Sequence, residues 1–169
     1  MIISVVLVPE SKFGELLEET SSEFAKSMPS TYVVGKNSIA HCSLLQFDSS
    51  VVVDTKKKLA KMLGSRVRLK TTETYRDVSE HGNTWFGVGI ELSKALLAVQ
   101  ERFIAKTGLP RSAFHKGIGT DYKPHFTLGM IPQVLPLAEP FGKNLEGKTV
   151  TCTLRLGVCG EHYALKEIL

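Results

Sequence analysis

The chain has 169 residues, 43% hydrophobic and 22% charged, proportions that exclude a disordered or low-complexity protein and suit one domain with a sizeable core. Its formal net charge of +4 suits an anionic substrate but is too small for a dedicated nucleic-acid scaffold. Three cysteines, Cys42, Cys152 and Cys159, are odd in number and form no CxxC pair, which argues against a disulfide framework or zinc site and for the cytoplasm; Cys42 and Cys152 are expected as buried thiols.

MIISVVLVPE opens as an apolar run ending at Pro9, too short to span a membrane and without the basic leader of a signal peptide, and is expected as a first strand. Ser11 is expected to cap a helix with apolar positions at Phe13, Leu16, Leu17 and Phe24, closed by Pro29. A loop then leads to a strand around His41. Ser49 or Ser50 is expected to start a second helix through Leu59, Met62 and Leu63, with Gly64 as its stop and Lys56, Lys57 and Lys58 on a solvated face. RVRLKTTETY alternates and predicts a strand, and HGN at 81–83 a turn. TWFGVGIEL places Phe86, Val88, Ile90 and Leu92 on one strand face; Ser93 should cap a third helix through Leu96, Leu97, Phe103 and Ile104, ending near Gly108. The loop HKGIGTDY leads to a strand around His125, and TVTCTLRLGV with HYALKEIL predicts two strands about a turn at Cys159 and Gly160.

A weak repeat underlies this order: strand, helix, loop, histidine strand occurs twice, and one spacing of 84 positions separates both His41 from His125 and Ile2 from Phe86. The chain is therefore expected to be a single α+β domain, 1–169, of two related halves, about 1–80 and 84–169, with a pseudo-twofold bringing the histidine strands together. In a strand, residues two apart share a face, so His41 would point with Ser43, and His125 with Thr127, opposite the apolar Cys42, Leu44, Phe126 and Leu128. The alternative is two satisfied core histidines. Imidazoles titrate near 6.5, so a neutral one can take a proton from water while a protonated one gives a proton to a leaving oxygen. The two hydroxyls can donate to the non-bridging oxygens of a phosphate, which makes the set suited to metal-free phosphodiester cleavage.

The motifs His41-Cys42-Ser43-Leu44 and His125-Phe126-Thr127-Leu128, the run YKPHFTLG and the strand opening at Trp85-Phe86-Gly87-Val88 resemble the 2H phosphoesterase superfamily, in its bacterial 2′-5′ RNA ligase / RNA 2′,3′-cyclic phosphodiesterase type. The resemblance covers the whole chain in order and spacing. It implies a duplicated α+β fold in which two antiparallel sheets form a central cleft with helices outside, His41 and His125 as the catalytic acid and base, and Ser43 and Thr127 as phosphate ligands. It implies hydrolysis of 2′,3′-cyclic phosphates of RNA ends or nucleotides to 2′-phosphates. Cleavage of 2′-5′ oligonucleotides or of an ADP-ribose cyclic phosphate, or an RNA-end binding or ligating protein with little hydrolysis, are the alternatives. Ser43 stands where the family more often has Thr, and MIISVVLVPE lacks the Arg-aromatic opening of the RNA cyclic phosphodiesterase branch.

Lys123, Tyr122 and Trp85 are candidate substrate contacts: a lysine at the cleft mouth and two rings able to stack a base, each with a core or surface alternative. His81, His115 and His162 lack the motif and are expected at the surface. The GVG at 87–89 and GIG at 117–119 lack the full phosphate-loop pattern. No HxxxH pair or cysteine cluster is present, so neither a metal nor a cofactor is expected, and the protein is expected to be monomeric.

Overall fold

The apolar opening run is β1 (Ile2–Pro9), and its near-continuous hydrophobicity matches burial on both faces, with Ile3 to Leu7 all buried; it runs antiparallel to β7 (Thr149–Cys159) on one side and to β3 (Cys42–Asp48) on the other. The structure is a computed structural model describing residues 2–48, 52–115, 117–134 and 141–169, with the backbone alone for 52–55. α1 (Ser11–Ser27) buries Leu17 and Phe24 as its spacing predicts. Its cap differs from expectation: Glu10 is the N-cap residue and its carbonyl accepts from the Phe13 and Gly14 amides, so Ser11 already lies inside the helix. The following segment, expected as loop, contributes the two-residue β2 (Tyr32–Val33), paired with β6 (His125–Ile131).

α2 (Val52–Leu59) is shorter than its apolar pattern suggests, with Met62 and Leu63 in turns ahead of Gly64 at φ +85°. The expected start at Ser49 or Ser50 lies outside the described residues. β4 (Arg66–Val78), β5 (Thr84–Ile90) and α3 (Lys94–Thr107) follow; Ser93 Oγ accepts from the Leu96 amide at 3.1 Å, the predicted cap, and Gly108 ends the helix left-handed. The tail strand β8 (Leu165–Ile168) starts later than its apolar pattern suggests, because His162 and Tyr163 take φ of 53° and 57° and cannot extend a strand. No helix among the described residues is long and apolar enough to cross a membrane.

Among the described residues every pairing between these strands is antiparallel, and the order is β2-β6-β5-β4-β7-β1-β3, with β8 on β7. The architecture is α+β. Two antiparallel sheets were the expectation; the pairings fall into one group of β1, β3, β7 and β8 and another of β2, β5 and β6, joined in a single path by the long β4, which pairs with β7 along Arg66–Lys70 and with β5 further on. The two chain halves also trade strands: β7 inserts between β1 and β4, while β2 joins β6.

The two histidine strands share an irregularity. In β3, Val5 pairs with Leu45 and Val6 with Ser43, leaving Leu44 as the extra residue of a bulge; in β6, Phe86 pairs with Gly129 and Gly87 with Thr127, leaving Leu128. Each bulge follows the motif hydroxyl directly. The carbonyl displaced from each ladder is met by a buried helix side chain: Gln100 Nε2 of α3 donates to Leu44 O at 3.0 Å, and Ser21 Oγ of α1 donates to Leu128 O at 2.5 Å. This accounts for two polar groups, Ser21 and Gln100, that are fully buried. Each histidine strand is thus gripped from behind by the helix of the other half.

Candidate active site

Alternation in the two strands produces the site. Cys42, Leu44, Phe126 and Leu128 are buried in the core, whereas His41, Ser43, His125 and Thr127 are half-buried and face the other way. All four line one cavity of about 280 Å³. The strand order puts β3 at one end and β6 near the other, and the cavity brings their motif residues together. Tyr122 clasps them: its hydroxyl donates to Ser43 O at 2.8 Å and lies 3.4 Å from Cys42 Sγ.

Both imidazoles are oriented by the same local bond. His41 Nδ1 lies 2.7 Å from Ile39 O, and His125 Nδ1 lies 2.8 Å from Lys123 O. A carbonyl only accepts, so each Nδ1 carries the hydrogen and Nε2 is the basic nitrogen of the neutral ring. The hydroxyls are each braced by a neighbouring side chain. Ser43 Oγ accepts from Gln46 Nε2 at 3.2 Å, which leaves the O–H vector to donate, and Thr127 is hydrogen-bonded to the Tyr75 phenol. The Tyr75 ring stands edge-on to His125 with centroids 5.1 Å apart. Burial pushes the Tyr75 phenol well above its ordinary value, the Thr127 bond acting in the other sense, so it stays protonated throughout the neutral range. Burial likewise pushes Tyr32, another cavity residue, up to about 12.

Gly87 of the GVG run makes room for this arrangement. It sits between Tyr75 and Thr127 in the ladder, and a Cβ there would run into the Tyr75 ring and Phe126 O. The glycine serves close packing at the site.

Of the remaining candidates, Trp85 lines the histidine cavity and meets Tyr32 edge-on at 5.8 Å. Lys123 is exposed and lines an adjoining cavity instead. Tyr122, 3% exposed, belongs to the core cluster, and its ring supports the His41 strand rather than offering an open stacking face. His81 and His115 are exposed outside the cavity, beside Glu80 and Asp48 respectively. His162 is exposed too, but it lines the histidine cavity, with its ring 6.3 Å from that of Trp85. It arrives there on the left-handed backbone of His162 and Tyr163, a conformation costing about 1–3 kcal/mol per non-glycine residue. The turn is tied to the His41 segment where Leu165 N donates to Ser38 Oγ at 3.1 Å and Ile39 N to Leu165 O at 2.8 Å.

Tyr75, Gln46 and His162 are site residues that sequence reading did not pick out. Gln46 carried one signal, a polar residue in an apolar strand three positions after Ser43. Among the described residues no group of three or more His, Cys, Asp or Glu is arranged to hold a metal ion.

No protein-family model matches the sequence, and no curated relative matches it. A solved crystal structure of a phosphoesterase is similar in fold, with a TM-score of 0.60 over 99% of this chain and 95% of the other, at 15% identity. The likeness is one of fold.

Proposed function

We propose that this chain is a two-histidine phosphodiesterase of the 2H type, with a fold that arose by duplication, hydrolysing 2′,3′-cyclic phosphates of nucleotides or RNA ends to 2′-phosphates without a metal. The observation that carries this reading is the matched pair: two imidazoles, each held by Nδ1 to the carbonyl two residues back, each with a hydroxyl two residues on, around one cavity. The shared bulge and the likeness in fold to a phosphoesterase support it. The three buried cysteines support a reducing, cytoplasmic setting.

In this reading one neutral imidazole accepts a proton from water through Nε2 as the water oxygen bonds to phosphorus. The other, protonated, gives its proton to the departing 3′ oxygen as that P–O bond breaks. The product is a 2′-phosphomonoester with a 3′-hydroxyl, and before the next turnover the base gives its proton to solvent and the acid takes one from it. Ser43 and Thr127 donate to the non-bridging oxygens, where charge builds in the transition state.

Mass spectrometry of products from a panel tests this: 2′,3′-cyclic nucleotides, cyclic-ended RNA, an ADP-ribose cyclic phosphate and 2′-5′ dinucleotides, each with and without EDTA. A 2′-phosphate product, formed equally in EDTA, is expected. Cleavage of the 2′-5′ dinucleotides alone moves the assignment to that bond, and binding without consumption moves it to an RNA-end binding protein. Loss of activity in EDTA with recovery on adding a divalent ion overturns the metal-free mechanism.

A further inference from the structure

The histidine cavity adjoins a second one of about 560 Å³, and the two share Ser43, Tyr75, Asp77 and His125 as walls. Their linings differ. The first is rimmed by the aromatic rings of Tyr32, Trp85 and Tyr163 and by His162. The second is acidic: among the described residues that line it, Glu73, Asp77 and Asp121 stand against one lysine, Lys123, and the His125 imidazole. No arginine lines either cavity among those residues. The chain's net positive charge therefore lies elsewhere, for instance along Lys56, Lys57 and Lys58 of α2.

This distribution bears on the substrate. A single phosphodiester brings one negative charge, which the two imidazoles and two hydroxyls can meet. A nucleic-acid chain adds a charge with every further phosphate, and proteins that bind such chains line the path with lysine and arginine. Here the space beside the histidines offers carboxylates, which repel phosphate and accept hydrogen bonds from uncharged hydroxyl and amino groups.

Building on the two-histidine reading, we propose that the substrate is a small, singly charged diester, such as a nucleoside or sugar cyclic phosphate with otherwise uncharged, hydroxyl-bearing groups. Glu73, Asp77 and Asp121 set this specificity by disfavouring a second phosphate, which selects against RNA ends and against diphosphate-containing cyclic phosphates.

The test compares kcat/KM for adenosine 2′,3′-cyclic phosphate, the same compound bearing a 5′-phosphate, and a cyclic-ended tetranucleotide. Adding the 5′-phosphate is expected to lower kcat/KM by about tenfold. That ratio should shrink at roughly 0.5 M salt, where screening is strong, and in the Glu73→Gln/Asp121→Asn double variant. Equal or better use of the phosphorylated or oligonucleotide substrates overturns the proposal, as does a ratio that responds to neither salt nor the substitutions. If none of the three is turned over, it is the hydrolytic reading that fails. The charge rule is then decided by binding: Trp85 is the only tryptophan, so its fluorescence follows occupancy of the cavity. Adenosine 2′-phosphate should bind more tightly than adenosine 2′,5′-bisphosphate, and the reverse order overturns the rule.

Discussion

In the proposed mechanism His41 and His125 are oriented by a bond each makes within its own segment, the Nδ1 contact to Ile39 O and Lys123 O. That bond sets the tautomer and leaves Nε2 as the nitrogen available to move a proton in both. An acid and a base each contribute about 10²–10⁴-fold, so His41→Ala and His125→Ala should each lose about 100-fold or more in turnover while melting like the parent. The double variant should lose less than the product of the single losses, since both residues serve one step. Near-normal turnover in either single variant would remove that histidine from the chemistry. Tyr75 gives a second test, on pH. With imidazoles as acid and base, activity should follow a bell peaking at about pH 6–8. Burial raises the Tyr75 phenol, so it stays protonated across that bell and contributes neither limb. Tyr75→Phe should therefore lower the whole profile, by roughly fivefold to tenfold for one lost hydrogen bond, without moving its limbs. A shifted alkaline limb would make Tyr75 the acid.

Among the elements, the bulged histidine strands depend most on partners distant in sequence. Each bulge lies directly after the motif hydroxyl and leaves a carbonyl without its ladder partner. Gln100 spans this gap in β3: its Nε2 donates to Leu44 O while its Oε1 accepts from Gly119 N at 2.9 Å, so one side chain ties the His41 strand to the loop leading to His125. Gln100→Met keeps the volume and removes both bonds inside the core. It should cost about 1–3 kcal/mol in denaturant unfolding, the range for a buried group left unpaired, and should raise KM. An unchanged midpoint would mean that water or a shift in the strand takes the place of the amide.

For the whole molecule, the critical strand is β4, which changes partner from β7 to β5 between Lys70 and Thr71, with an irregularity between Thr71 and Thr74, and so joins the strands around β1 to those around β6. The turn before β7 braces the change. Thr71 Oγ1 donates to Leu145 O at 2.6 Å, and Glu146 Oε1 accepts from the Thr74 amide and hydroxyl, both at 2.8 Å. These two donors, the amide first, hold the Glu146 carboxyl below its ordinary value. A folded-state value below the unfolded one means that the contribution is present above about pH 4.3 and is lost as the pH falls through the folded value. Glu146→Gln should therefore unfold at lower denaturant than the parent at pH 6, with the two midpoints converging as the pH drops below that point. A constant difference down to pH 3 would show that the carboxylate's charge is not what matters.

The two motifs, the strands that carry them and the helix closed by Ser93 and Gly108 were legible in the chain because each rests on local rules: alternation along a strand, a hydroxyl cap, a left-handed glycine. The face shared by His41 and Ser43, and by His125 and Thr127, follows from the same two-residue period. Tyr75 and His162 could not be read this way. Tyr75 reaches Thr127 across two strand pairings and needs Gly87 to leave space; His162 reaches the cavity through a backbone turn that its residue type disfavours. Nor does periodicity say that β4 would be shared, because strand partners are chosen by packing between segments far apart in the chain. The sequence by itself determined which residues could do the chemistry and which way each pair faces. Only the tertiary structure decided that the two pairs meet, that a phenol and an amide hold the hydroxyls, and that carboxylates line the space beside them, since all three depend on distances between distant segments that no local rule specifies.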